Sequence, residues 1–235
     1  MQESLRLGIA GLGTVGASVI RLLERHGDNL AAQLGRSVRV AAVSARERGR
    51  PRGFGMGDFA WFEDPVSLAR STEIDAFVEL IGGADGAAHD SVRAALQAGK
   101  SVVTANKALL AAHGVKLARL AEERGAQLAF EAAVGGGIPI IKTLREALAG
   151  NRLTRLTGIL NGTCNFILTR MEEGMSYPVA LKEAQSLGYA EADPSFDVEG
   201  LDTAHKLAIL TSVAFGCEID RDAIFVEGIS SIEPE

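Results

Sequence analysis

Cysteine is nearly absent: Cys164 and Cys217, far apart in the chain, are the only two among 235 residues. Such a pair supports neither a disulfide framework nor a cysteine metal site, and it fits a reducing compartment. Both read as core or pocket-lining residues. Uninterrupted apolar runs long enough to span a bilayer are also missing, which excludes a membrane-spanning segment. Residues 1–8 lead straight into a strand, with no charged stretch followed by an apolar one, so no secretory signal is expected and the cytoplasm is the expected location. Positive charge is not in excess either: 24 Lys and Arg face 30 Asp and Glu, a net charge of −6, and the one basic block runs from Arg46 to Arg50. That balance excludes a broad nucleic-acid or membrane-surface footprint. Internal repeats and low-complexity segments are absent as well.

What is present is ordinary soluble-protein composition, 47% hydrophobic and 23% charged, in a length between one domain and two. One core with an appended lobe is the expected plan. Residues 5–10 form a short apolar strand, followed at once by Gly11-Leu-Gly13-Thr14-Val15-Gly16 and an amphipathic helix. In that context each glycine has a mechanism: Gly11 makes the tight turn, Gly13 lets the backbone approach a pyrophosphate, and Gly16 packs the helix on the strand. The helix N-terminus then offers amide groups to the phosphates.

A second strand over 38–43 should end beside the adenosine ribose. Where an NAD-binding chain tends to place an acid, Ser44, Ala45 and Arg46 stand here with Arg48 close behind. This favours NADP, with NAD possible; the alternative is that the arginines are surface loop charge and Glu47 meets the ribose hydroxyls. Further strands over 75–81 and 101–104, with helices over 64–71 and 86–98, extend a doubly wound α/β sheet. Their carboxyl ends bring Gly82, Gly83, Thr104 and Lys107 to the cofactor side. Lysine is unfavourable near a helix N-terminus, so Lys107 suggests a ligand there. A last strand over 127–131 runs into a glycine stretch, residues 132–139. Glu131 with free-turning carbonyls suits a hard cation, although the spacing alone favours an interdomain hinge.

Beyond Gly150, residues 152–160 alternate in part like a strand, and Asn161-Gly162-Thr163 opens a helix. The Gly-Thr pair offers an amide and a hydroxyl to a small carboxylate, and Asn161 or Thr163 equally well caps the helix. Helices follow over 139–149, 165–171 and 179–187, with a strand-like piece over 223–229. Between residues 188 and 206 five carboxylates and one lysine are gathered. Asp202 and Lys206, four apart on an apolar-periodic helix, project from one face. Such a pair is either a solvated helix pair or a lysine held by a carboxylate to orient a substrate and move a proton.

Together Gly11–Gly16, Thr104-Ala-Asn-Lys107, residues 131–140, residues 158–165 and residues 188–206 resemble homoserine dehydrogenase, in that family's order over almost the whole chain. The resemblance implies a Rossmann-type domain over 1–134 and an α+β substrate-binding and dimerisation lobe over 135–235. It implies reduction of L-aspartate 4-semialdehyde to L-homoserine with NAD(P)H, on the route to threonine and methionine. By position, the acid/base lysine falls on Lys206 and the substrate-binding acids on Glu191 and Asp202. Gly162, Thr163 and Tyr189 match further substrate contacts, and Lys107 a second lysine near nicotinamide and substrate. A monovalent cation, sodium by preference, would be held by Glu131 and the carbonyls of Val134, Gly136 and Ile138, in place of the mere hinge that spacing favours. A homodimer is the implied assembly.

Family chains continue well past residue 235, so a catalytically incomplete NADP-binding fragment or module is the alternative reading. A third is aspartate semialdehyde dehydrogenase, whose chemistry needs a nucleophilic cysteine with a base. Cys164 is the candidate, but no histidine is well placed in the sequence to serve it.

Overall fold

In the computed structural model, which describes residues 3–233, the chain forms two compact units, one ending at Ile140 and one beginning at Ile141. The first is built on strands β1 (Leu5–Ala10), β2 (Val38–Ser44), β3 (Ala60–Phe62), β4 (Ala76–Glu79), β5 (Ser101–Thr104) and β6 (Leu128–Ala129). All are parallel, in the order β3-β2-β1-β4-β5-β6. Strand order reverses between β1 and β4, and the carboxyl ends of those two strands flank the crevice where such sheets take ligands.

Helices α1 (Thr14–Leu34), α2 (Pro65–Arg70), α3 (Ala87–Gln97) and α4 (Lys107–Glu123) make the crossovers, and α5 (Glu131–Val134) follows β6. Parallel strands covered on both faces carry near-continuous apolar runs, as Val40 to Val43 illustrates. Ile9, Ile20 and Val43 are at most 1% exposed in one cluster with Leu12, Val40 and Val78. Each such side chain contributes about 1.5–3 kcal/mol by leaving water. Local chemistry sets the helix ends. Asp64 caps α2 by accepting from Val66 and Ser67 amides, with Pro65 at the first position, and Gly35 closes α1 in the left-handed conformation.

The base of β1 is pinned by Arg6, whose backbone amide and guanidinium Nε both donate to Asp75 Oδ2, at 2.8 and 3.1 Å, while Nη2 reaches Oδ1 at 2.6 Å. Hydrogen bonding from this guanidinium holds the Asp75 carboxyl below the ordinary carboxylate range. A lowered folded value means that the stabilisation is complete above the ordinary range and is lost as pH falls through it toward that lower value. The pair is partly exposed, so salt screens it and the effect is modest. Asp75→Asn is expected to lower the neutral-pH melting temperature slightly and to flatten the acid limb of a melting-temperature profile; an unchanged acid limb would contradict this role.

The second unit is helical among the described residues. It begins in α6 (Ile140–Lys142), which runs on as a π-helical turn (Thr143–Ala147), and continues with α7 (Gly162–Glu172), α8 (Tyr177–Ser186), α9 (Ser195–Val198) and α10 (Leu201–Phe215). Ile167, Met171, Ala180, Ala184, Ala190, Val198 and Ile229 form its core. The strands expected over 152–160 and 223–229 are not strands. Alternation specifies a face, whereas a strand also needs a partner edge, and no described segment of this unit supplies one. Residues 223–229 are instead attached by the Ile229 amide donating to Val198 O, at 2.8 Å. The single helix expected over 139–149 is broken into α6 and the π turn, in which the Leu148 amide reaches back five residues to Thr143 O.

Candidate functional site

In the first unit, the turn after β1 requires its glycines for three different reasons. Gly11 has φ +97°, and a Cβ there would lie 2.3 Å from Leu80 O. A Cβ on Gly16 would lie 2.0 Å from Gly11 O, so α1 packs directly on the turn. Around Gly13 a Cβ would meet nothing within 4 Å, so the backbone there faces open space. No side chain caps α1 and no acid occupies its first turn, which begins with Thr14, Val15 and Gly16. Uncapped amides at the positive end of a 21-residue helix, approached over an open glycine, make an anion cradle.

The Ser44 carbonyl at the end of β2 accepts from the Gly11 amide at 2.9 Å and ties the two loops together. Arg46 and Arg48 are exposed on the loop that follows, with the Arg48 guanidinium 5.8 Å from the Trp61 ring centroid. Arg52, not singled out in the sequence, holds this loop in shape. Its guanidinium donates to the carbonyls of Glu47 (2.5 Å), Arg50 (2.8 Å), Arg48 and Leu12 (both 3.3 Å). Thr104 is 1% exposed, and its hydroxyl donates to Glu79 rather than opening toward a ligand. Asn106 caps α4 through the Leu109 amide and thereby sets Lys107 at the first helical position. Gly82 lies in the loop after β4 with φ +88°. Glu131 opens α5, with Val134 at its end, and Gly136 and Ile138 lie just beyond, Ile138 being 63% exposed.

In the second unit, α10 starts at Gly200, where φ is +82° and a Cβ would meet Val226 Cγ1 at 3.0 Å. That start puts Asp202 in the first turn, where a carboxylate is favoured, and Lys206 one turn on. The Lys206 ammonium donates to Asp202 Oδ2 at 2.6 Å and to Leu160 O at 2.8 Å. Asp202 is 2% exposed. The pair is therefore no solvated surface pair, and Asn161 extends it. Asn161 Nδ2 donates to Asp202 Oδ2 at 2.9 Å and to Asp197 Oδ1 at 2.7 Å, while its Oδ1 accepts from the Cys164 amide and caps α7. Gly162 and Thr163 open that helix, and the Thr163 hydroxyl donates to Tyr189 O at 2.7 Å. Lys206, Asp202, Gly162, Thr163 and Tyr189 are thus linked through α7 and its cap. Glu191 is exposed two residues beyond Tyr189, its carbonyl accepting from Gln185 Nε2 at 3.1 Å. Asn161 had been legible only as a possible cap, and Asp197 only as one of the carboxylates gathered over 188–206.

The Cys164 thiol is pushed up to about 11, by burial first and then by the charges of Asp197 and Asp202, and it donates to Asp197 O. A thiol so unwilling to ionise is a poor nucleophile. Cys164→Ser is therefore expected to keep most of any dehydrogenase turnover, measured as nicotinamide absorbance; loss of turnover in a folded variant would revive the thiol chemistry.

A parallel sheet of order 3-2-1-4-5-6, with a three-glycine turn opening onto an uncapped helix at the switch point, defines a Rossmann-type dinucleotide-binding protein. Its joining to a helix that carries a lysine clamped by a buried aspartate narrows the class further. Residues 11–131 match the family described as homoserine dehydrogenase, NAD binding domain, and residues 139–235 match the family described as homoserine dehydrogenase. The chain belongs to the homoserine dehydrogenase family.

It is 51% identical to a homoserine dehydrogenase of Pseudomonas aeruginosa over 98% of this chain and 52% of that one, and 46% identical to one of Corynebacterium glutamicum over the same shares. Among solved structures, a homoserine dehydrogenase from Thiobacillus denitrificans superposes with a TM-score of 0.92 at 44% identity, covering 98% of this chain and 53% of that one. A hyperthermophilic archaeal homoserine dehydrogenase in complex with NADPH superposes with a TM-score of 0.85 at 29% identity, covering 99% and 76%. The chain spans about half the length of the curated relatives it matches.

Proposed function

We propose that the chain carries the nucleotide-binding part and the lysine–aspartate part of a homoserine dehydrogenase, which interconverts L-aspartate 4-semialdehyde and L-homoserine with NADP(H), and with NAD(H) as the lesser partner. The observation that carries this reading is the Lys206 ammonium clamped between Asp202 and the Leu160 carbonyl, in a chain that opens with a dinucleotide turn. When bound, the reduced nicotinamide supplies a hydride to the aldehyde carbon. Negative charge then develops on the carbonyl oxygen, which Lys206 stabilises and protonates; in the reverse direction the same amine takes the hydroxyl proton. Asp202, itself fixed by Asn161, orients that ammonium and with Glu191 attracts the substrate amino group. Gly162 and Thr163 at the start of α7, and Tyr189 tied to Thr163, frame the substrate carboxylate. Lys107 adds a second positive charge at the head of α4.

In the first unit, Gly11, Gly13, Thr14, Val15 and Gly16 hold the pyrophosphate, and Ser44 and Arg46 meet the 2′-phosphate. Gly82 and Lys107 lie toward the nicotinamide end, and Thr104, its hydroxyl given to Glu79, supports the loop behind them. Glu131 and the carbonyls of Val134, Gly136 and Ile138 form an all-oxygen donor set, which suits a hard monovalent cation, and we assign sodium. The protein would act as a cytoplasmic homodimer.

The second reading is an NADP-binding module without turnover. Mixing the 235-residue protein with homoserine and either NADP or NAD, and following the rise in reduced-nicotinamide absorbance, separates the two. Turnover faster with NADP supports the dehydrogenase and its cofactor preference. Nucleotide binding without turnover supports the module.

A further inference from the structure

Glu79, the last residue of β4, is completely buried. Burying a carboxylate is costly unless donors surround it, and here three do. Oε1 accepts from the Ile81 amide at 2.7 Å and the Gly82 amide at 3.1 Å, and Oε2 accepts from the Thr104 hydroxyl at 2.5 Å. Thr104 Oγ1 in turn accepts from the Asn106 amide at 3.0 Å, and Asn106 Nδ2 donates to Gly83 O at 2.7 Å. One buried acid thus ties the loop after β4 to the end of β5 and to the cap of α4.

The bonds also set which way the loop's peptides face. A trans peptide points its N–H and C=O in opposite directions, so amides 81 and 82 turned inward to Glu79 turn the carbonyls of Leu80 and Ile81 away from it. The Leu80 carbonyl lies against Gly11, where a Cβ would come within 2.3 Å of it. The Ile81 carbonyl is then the acceptor that the loop presents. Gly82 and Gly83, with φ of +88° and +83°, turn the chain directly after it.

We propose that Glu79 is a positioning residue that divides the nucleotide crevice by polarity. The turn after β1 offers amide donors to phosphate, whereas the loop after β4, its Ile81 and Gly82 amides withdrawn by Glu79, offers a carbonyl acceptor. The second loop therefore takes donor groups, the ribose hydroxyls or carboxamide of the nicotinamide half, and not phosphate. This inference rests on the nucleotide-binding reading above.

The test titrates the full chain with NADPH and with 2′,5′-ADP, which contains only the adenosine half. Glu79→Gln keeps the size but replaces one acceptor by a donor. It is expected to weaken NADPH by about 10-fold, the worth of a hydrogen bond to a charged group, and 2′,5′-ADP by less than about twofold. Equal weakening of both ligands, or of neither, in a folded variant overturns the proposal. If Glu79→Gln fails to fold, Thr104→Val and Thr104→Ser decide it. The valine should reproduce the same split between ligands in smaller degree and the serine should restore wild-type binding, whereas identical behaviour of the two overturns it. Wild-type protein that binds neither ligand removes the nucleotide reading and this inference together; wild-type binding of both leaves the variants' ratio to judge Glu79 alone.

Discussion

Lys206→Ala is expected to lower homoserine turnover by about 10²–10⁴-fold, the usual contribution of a positioned general acid, while NADP binding persists. The fall should lie mainly in kcat, because the ammonium acts on charge that develops only as the hydride moves. Lys206→Arg should rescue little: a guanidinium keeps the positive charge but does not release a proton near neutral pH. Removing the ammonium also takes its charge from Asp202, which is 2% exposed, so some loss of stability will accompany the kinetic effect and a melting curve belongs beside every rate. Retention of most turnover in a folded Lys206→Ala protein would dismiss the lysine as acid/base.

The second large effect is expected at Gly11→Ala. The added methyl would sit 2.3 Å from Leu80 O and 2.9 Å from the Ile81 amide nitrogen, both backbone atoms, at a φ of +97° that alanine resists. Overpacking and backbone strain together cost about 3 kcal/mol or more. A marked drop in melting temperature should come with loss of NADPH binding, because the displaced loops are the two that flank the switch point. Gly13→Ala makes the control. It meets nothing within 4 Å, so its melting temperature should stay near that of the wild type even where a ligand approaches less closely. Equal destabilisation by the two substitutions would refute this division.

These two sites were legible in the sequence because their logic is local. Three glycines between a strand and a helix, or two charges one helical turn apart, are fixed within a few residues of each other. The bonds from Asn161 to Asp197 and Asp202 are not: a cap, a short helix and a longer helix must close on one another over 36 to 41 positions before they exist. Glu79 lay inside the strand expected over 75–81 and was given no role, because nothing nearby shows that a threonine 25 positions on will face it. Alternation in residues 152–160 was read as a strand, although alternation alone specifies only a face. The three residues of β3 went unread because, in so short an edge strand, pairing with β2 and not composition makes the strand. Arg52 was passed over for Arg46 and Arg48 because charge density marks a loop without revealing which guanidinium turns back on the backbone.

Arg52 grips the loop after β2 only through main-chain oxygens, at Glu47, Arg48 and Arg50, and reaches the glycine turn through another, at Leu12. None of these bonds depends on what the side chains at 46 to 50 are. If Arg46 meets the 2′-phosphate as proposed, shape and selectivity are written in separate parts of one short segment. On that reading, substitution at 46 to 50 should redraw the preference between phosphorylated and plain ribose while the scaffold under it stays as it is.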